Sequence, residues 1–286
     1  MKADKWITKY TESLDGKRIA ISGSTGGIGK ELCRFLLKLG ASLVLIDRNQ
    51  SRSDDLIKIL KSEYKNSKIE QIIADMEDIN SVKLACTQLE SMEIYGLILN
   101  AGAYSIPRHK CTTGYDNVFQ INFVSPYYMA RRLENHVQKI VAVGSIAHNY
   151  SHIKEDDIDF SGEKKASLVY GNAKRYLMYS LLGAFENRPE KLAIAHPGIT
   201  FTGITNHYPK LIFAIIKHPM KVIFMKPRTA CLSILMGLFR HTEKSNWIGP
   251  RIFDIWGMPK KKPLKTASEN EQKFICETAE EIFRKL

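Results

Sequence analysis

Residues 21–40 read ISGSTGGIGKELCRFLLKLG. An apolar run, RIAI at 18–21, precedes them, and Asp47 follows seven residues after they end. Glycines stand at 23, 26, 27 and 29, and an amphipathic pattern begins at once. A bare flexible loop needs neither a strand before it nor a helix after it. Set on a strand–turn–helix, the glycines acquire a mechanism. Gly23 turns the chain sharply off the strand. Gly27 and Gly29 let the backbone approach a pyrophosphate and pack the helix against a sheet. The phosphates then meet the free N–H groups and positive dipole end of that helix. Asp47, closing the next apolar run, can accept hydrogen bonds from an adenosine ribose.

The alternation continues along the chain. Strand-like runs at 18–22, 42–47, 69–75, 96–102, 139–145 and 192–198 alternate with helical patterns at 29–40, 53–64, 79–92, 114–136 and 168–186. Repeated βαβ units predict an α/β protein: a single-domain Rossmann fold, with a doubly wound parallel sheet and helices on both faces. The apolar, basic stretch from about 202 to 240 departs from the alternation and is expected to be a helical substrate lid within the one domain. RIFDI at 251–255 predicts a late strand. The last helix is expected at 268–286, with Ser268 and Glu271 as a capping box.

Composition bounds the partners. Hydrophobic residues make up 44% of 286, enough for a sizeable core. The formal net charge is +12. The charges are dispersed and no nucleic-acid motif accompanies them, so no nucleic-acid partner is expected. The five cysteines, at 33, 86, 111, 231 and 276, form neither a disulfide framework nor a metal-ligand pattern. The first 18 residues are polar, and no apolar run is long enough to span a bilayer. A cytoplasmic location is expected.

Further motifs follow in order: Asp75-Met76, Asn100-Ala101-Gly102, Asn122, Ser145, Tyr170-x-x-x-Lys174, and Pro197-Gly198 with Thr202. With the glycine stretch Ser22-Gly23-Ser24-Thr25-Gly26-Gly27-Ile28-Gly29, the chain resembles the short-chain dehydrogenase/reductases over nearly its whole length. Serine at 22 replaces the threonine usual in that family. The resemblance implies a catalytic set of Asn122, Ser145, Tyr170 and Lys174. It also implies that Ser22, Gly23, Ser24, Thr25, Gly27, Ile28, Gly29, Asp47 and Arg48 hold a nicotinamide dinucleotide. Asp75 and Met76 would lie at its adenine, and Asn100, Ala101, Gly102, Pro197, Gly198 and Thr202 along its length. Tyr170 and Lys174 would reach its nicotinamide end, and Asn122 would anchor a water linking Lys174 to solvent.

The residue types suit that chemistry. Tyr170 and Lys174 lie four apart on a predicted helix and share a face. A phenol is a poor base at neutral pH, and a neighbouring ammonium favours its phenolate. Ser145 would hold the substrate oxygen beside Tyr170. Taken singly, each residue has a plainer explanation, as a surface pair, a turn serine or a buried amide. Together, after a dinucleotide loop, they point to an enzyme acting on a small alcohol or carbonyl. The alternatives are a catalytically silent dinucleotide-binding regulator or scaffold, and a basic nucleic-acid binder.

The long gap between Ser145 and Tyr170 resembles the retinol-dehydrogenase-like branch, which implies a lipophilic substrate. Its acidic residues, Glu155, Asp156, Asp157 and Asp159, are expected to be solvated, with no metal. His148 and His152 are expected at the surface, and His196 in a structural place. Asp47 favours NAD over NADP, because a 2′-phosphate would face a carboxylate; Arg48 pulls the other way. The segment 206–228 is expected to close over substrate, with peripheral membrane contact through its basic face as an alternative. The resemblance also implies a homodimer or homotetramer, paired through the helices at 113–136 and 168–186.

Overall fold

The structure is a computed structural model and describes residues 3–200, 224–243, 245–264 and 267–286. Among the described residues seven strands run parallel: β1 (Arg18–Ser22), β2 (Ser42–Asp47), β3 (Ile69–Ile73), β4 (Ile94–Leu99), β5 (Val137–Val143), β6 (Leu192–Ala195) and β7 (Asn246–Ile252). The eighth, β8 (Trp256–Pro263), pairs antiparallel with β7. Their order is β3-β2-β1-β4-β5-β6-β7-β8. The chain starts inside the sheet, winds out to β3, then crosses back to β4. That reversal opens a crevice at the carboxyl ends of β1 and β4.

The inner strands read as unbroken apolar runs because both faces are covered. On one face lie α1 (Ala3–Tyr10), α2 (Gly27–Lys38), α3 (Gln50–Glu63) and α8 (Pro227–Phe239). On the other lie α4 (Ile79–Glu90), α6 (Ser125–Arg132), α7 (Ala166–Ala184) and α9 (Glu269–Lys285). The α/β, doubly wound reading of the sequence therefore holds.

Three details differ from the sequence reading. The expected long helix at 114–136 is broken into α5 (Asn117–Phe119), a π-helical turn (Gln120–Val124) and α6. Pro126 has no N–H for the carbonyl of Asn122 four residues back, so the α ladder widens there, and Ser125 N bonds Gln120 O instead. The late strand starts at Asn246, and Phe253 and Asp254 turn the chain with φ of 49° and 57°. β8 was not read at all: WGMPKKKP is lysine- and proline-rich, the chemistry of a protected edge.

Of the stretch expected as a lid, residues 201–223 lie outside the described residues. The remainder, α8, is buried against the sheet through Ala230, Leu232, Ile234 and Leu235. Arg228, counted among the basic residues of 206–228, ion-pairs with Asp4 at 3.0 Å and Glu31 at 3.1 Å.

α9 begins as predicted, with Ser268 Oγ accepting from Glu271 N at 3.2 Å. The Glu271 carboxylate does not return to the cap but holds Arg175 of α7. α9 buries Ile275, Ala279 and Ile282 against α6 and α7, and Phe283 packs on Tyr127 and Tyr128. The chain's own last helix thus lies on the two helices expected to pair copies of it.

Candidate active site

The crevice holds a cavity of about 390 Å³ lined by Gly23, Thr25, Gly26, Gly27, Ile28 and Gly29 on one side. Asp47, Arg48, Asp75, Met76, Asn100, Ala101 and Gly102 also line it. A larger cavity, about 810 Å³, opens at the other ends of the strands, around Lys17 and Tyr95 and away from the catalytic candidates. The crevice is the better site because most of the expected cofactor-binding residues converge there, while the catalytic candidates lie outside its wall.

The glycine loop fits a diphosphate. A Cβ on Gly29 would meet Gly23 O at 2.4 Å, and one on Gly23 would meet Ala101 Cα at 2.9 Å. Only bare backbone allows helix and loop to close so tightly. α2 has no side-chain cap at Gly26, so its first turn presents N–H groups to the cavity.

Two serines of the motif serve the loop rather than the cavity. Ser22 Oγ accepts from Asn100 N and Ala101 N, both at 3.1 Å, while Asn100 Nδ2 donates to Ser22 O and Gly23 O. Ser24 is buried and donates to Asp47. Asp47 also accepts from Thr25 N and Thr25 Oγ1, each at 3.1 Å, and from Ser53 Oγ at 3.4 Å. Four donors occupy the four lone-pair directions of a carboxylate. Asp47 therefore braces the loop as well as lining the cavity in which the sequence reading has it accept from an adenosine ribose. Arg48, about two-thirds exposed, stands 3.8 Å from Glu77 at the rim, beside Arg52, which the sequence reading missed. Asp75 and Met76 line the cavity, with Asp75 fixed by Glu77 N at 3.0 Å and Ser81 Oγ at 3.1 Å.

Beyond Gly102 stand the catalytic candidates. Tyr170 stands near Ser145, whose hydroxyl favours the ionised phenol. Ser145 follows β5, and its Oγ also accepts from Ala147 N at 3.2 Å. Lys174, one turn after Tyr170, sends Nζ to the Val143 carbonyl at 2.9 Å and passes 5.7 Å from the Tyr170 ring centre. A Cβ on Gly102 would lie 3.7 Å from Lys174 Nζ and 2.9 Å from Asn122 Oδ1. Glycine at the cavity's end thus leaves room beside both. Asn122 is held in the π-helical turn by Ala103 and Val118, to whose carbonyls it donates at 2.8 Å. Tyr104, unread in the sequence, meets Tyr170 edge-on at 5.4 Å.

Burial pushes the Tyr170 phenol up to about 12, opposed by the nearby Ser145 hydroxyl. It pulls the Lys174 amine down to about 7. The sequence argument has an ammonium favour the phenolate; burial here works against it, raising the phenol and lowering the amine. Pro197 and Gly198 are buried after β6, Gly198 with φ of 82°. Thr202 lies outside the described residues.

His152 is exposed as expected, but His148 is fully buried. It meets Trp247 edge-on, and His196 stacks on the same ring, both at 5.1 Å. Asp159 is also buried, accepting from Asp116 N at 2.7 Å, where a solvated residue was expected. Only a partner far along the chain could have signalled either.

Residues 17–155 match the family described as short chain dehydrogenase. The WW domain-containing oxidoreductase of Gallus gallus is 29% identical over 170 residues, 57% of this chain and 40% of that protein. Retinol dehydrogenase 12 of Mus musculus is 26% identical over 204 residues, 68% of this chain and 65% of that protein. The chain thus spans less than two thirds of the length of these curated relatives. Among solved structures, an uncharacterised protein of Mycobacterium paratuberculosis superposes with a TM-score of 0.72 at 18% identity, over 96% of this chain and 95% of that one. A short-chain dehydrogenase from Sphingobium yanoikuyae in complex with NADPH gives 0.53 at 20% identity, over 72% and 85%. No helix among the described residues is long and apolar enough to cross a membrane.

Proposed function

We propose that the chain, whose residues 17–155 match the short chain dehydrogenase family, is an NAD(P)-dependent oxidoreductase of that family acting on a lipophilic carbonyl or alcohol. The observation that carries the reading is the glycine-walled cavity that reaches Gly102, with Lys174 Nζ and Asn122 Oδ1 beside that glycine and the Tyr170 ring 5.7 Å from the amine. A bound nicotinamide would supply or take the hydride. The remaining work falls to this chain.

The first turn of α2, with Gly27, Ile28 and Gly29, would hold the diphosphate, and Asp75 and Met76 the adenine end. Ser145 Oγ would hold the substrate oxygen. Tyr170 would give that oxygen its proton in carbonyl reduction, or take one in alcohol oxidation. Lys174 at about 7 can pass a proton inward and be recharged. Asn122 holds the turn that borders both Gly102 and the lysine.

The charge of Asp47 favours NAD(H). NADP(H) is the second reading, because the carboxylate is engaged with the loop while Arg48 and Arg52 stand at the rim. Lipophilic substrates are supported by likeness to retinol dehydrogenase 12 and to the polyprenol dehydrogenase of Homo sapiens. The test is a screen of aliphatic aldehydes, retinaldehyde and the matching alcohols with each reduced or oxidised cofactor, following absorbance of the reduced nicotinamide. Turnover with none of them, by folded protein, would leave the silent-scaffold alternative.

A further inference from the structure

Ser145 opens a 3₁₀ turn, Ile146–Tyr150, and its main-chain carbonyl receives two donors from one residue. His148 N reaches it at 3.2 Å and His148 Nδ1 at 2.5 Å. A carbonyl only accepts, so Nδ1 carries the ring proton and Nε2 is an acceptor. The imidazole is pinned from behind by Trp247. Its own carbonyl takes Arg175 Nη1 at 2.9 Å, and Glu271 of α9 grips the same guanidinium at 2.5 and 2.7 Å. His148 is therefore fixed at both ends, its main chain to α7 and α9 and its ring to Ser145.

A space-filling role explains this ring poorly. Nε2 is buried with no hydrogen-bond partner among the described residues. Such an orphan is destabilising, and a leucine against Trp247 would avoid it. What leucine lacks is the Nδ1–H on Ser145. That bond fixes the peptide after Ser145, and so the direction in which Oγ leaves the chain toward Tyr170.

We propose that His148 is a positioning residue: its Nδ1–H locks the Ser145 carbonyl and thereby keeps Ser145 Oγ aimed at Tyr170. This rests on the reading of Ser145 and Tyr170 as the catalytic pair. It makes α9 a distant support of the site, through Glu271 and Arg175.

Two variants separate positioning from packing. His148→Leu keeps the apolar contact and loses the donor. His148→Asn keeps a donor at the Nδ1 place and loses most of the ring. Each is compared with wild type in thermal unfolding, in reduced-cofactor binding, and in kcat and KM for the aldehyde wild type turns over fastest. Crystal structures of both report the Ser145 Oγ to Tyr170 separation whatever the substrate. The leucine variant should be at least as stable as the asparagine variant, yet lose kcat about 10- to 100-fold, as small misplacements do. Its KM and cofactor affinity should hold, and Oγ should have left Tyr170. The asparagine variant should stay within about threefold of wild type, with the contact intact. Wild-type kcat and an unmoved Oγ in His148→Leu, or activity that tracks stability in both variants, would overturn the proposal. Ser145→Ala, run in parallel, tests the underlying reading: full turnover there removes the catalytic pair itself, whereas an inactive Ser145→Ala beside an active His148→Leu removes only the role of His148.

Discussion

Lys174 donates from Nζ to the main-chain oxygen of Val143 at 2.9 Å, one turn along the helix from Tyr170. The bond ties α7 to the end of β5, where Ser145 begins its turn. Burial holds this amine near 7, so its ammonium form is present below that pH and lost above it. For carbonyl reduction, kcat/KM is expected to fall as pH rises through about 7. Lys174→Met should lower kcat by about 10²-fold or more and remove the step. A flat wild-type profile between pH 6 and 8 would contradict the role given to the lysine.

Asp47 and Arg48 are expected to divide their work. Asp47→Ala strands donors of Ser24 and Thr25, each worth about 1–3 kcal/mol when buried and unpaired. It should loosen the loop and weaken NAD(H) and NADP(H) together. Arg48→Ala should weaken NADP(H) about tenfold, or 1.4 kcal/mol, and leave NAD(H) nearly unchanged. Fluorescence titration of both cofactors measures this. A selective loss of NAD(H) in Asp47→Ala would restore the carboxylate as a ribose acceptor.

Most of this site was legible because its chemistry is local. The glycine loop, the Asn-Ala-Gly turn and the Tyr-x-x-x-Lys spacing each lie on one element, and periodicity places the element. What was missed depends on residues distant in the chain. Asp47 reads only as a ribose acceptor until the fold brings Ser24 and Thr25 beside it. His148 reads as a surface residue until β7 brings Trp247 beneath it. The break at Asn122 was readable, since Pro126 lies four residues on, but the apolar pattern across 114–136 masked it. β8 carried no strand pattern because lysine and proline protect an edge rather than fill a core.

Two buried histidines should make the fold acid-sensitive. Burial lowers His148 to about 4 and His196 to about 3, from an ordinary 6.5. Below pH 6.5 the unfolded chain takes up protons that the folded one refuses. Their contribution is therefore intact above pH 6.5 and is lost as pH falls toward 4, at about 1.4 kcal/mol per unit per histidine. Urea unfolding from pH 7 to 4.5 should show a shallower slope for His148→Asn than for wild type. Equal slopes would mean that His148 is not buried neutral in solution.

The covering of α6 and α7 by α9 predicts a single-chain mass in solution. Pairing through those helices would require displacing Ile275, Ala279 and Ile282, and breaking the Glu271–Arg175 pair. Light scattering on the full chain checks this. A stable dimer would show that two copies meet elsewhere or that α9 moves.

The central claim is that Tyr170 gives a proton to a substrate held by Ser145, and Tyr170→Phe tests it most directly. The variant loses one hydroxyl and keeps the ring that packs on Tyr104. Measured side by side with wild type, reduced-cofactor affinity and melting temperature should be unchanged. Turnover of the fastest aldehyde should drop by about 10²- to 10⁴-fold, the usual contribution of a positioned general acid. Turnover within about twofold of wild type, with cofactor still bound, would contradict the mechanism.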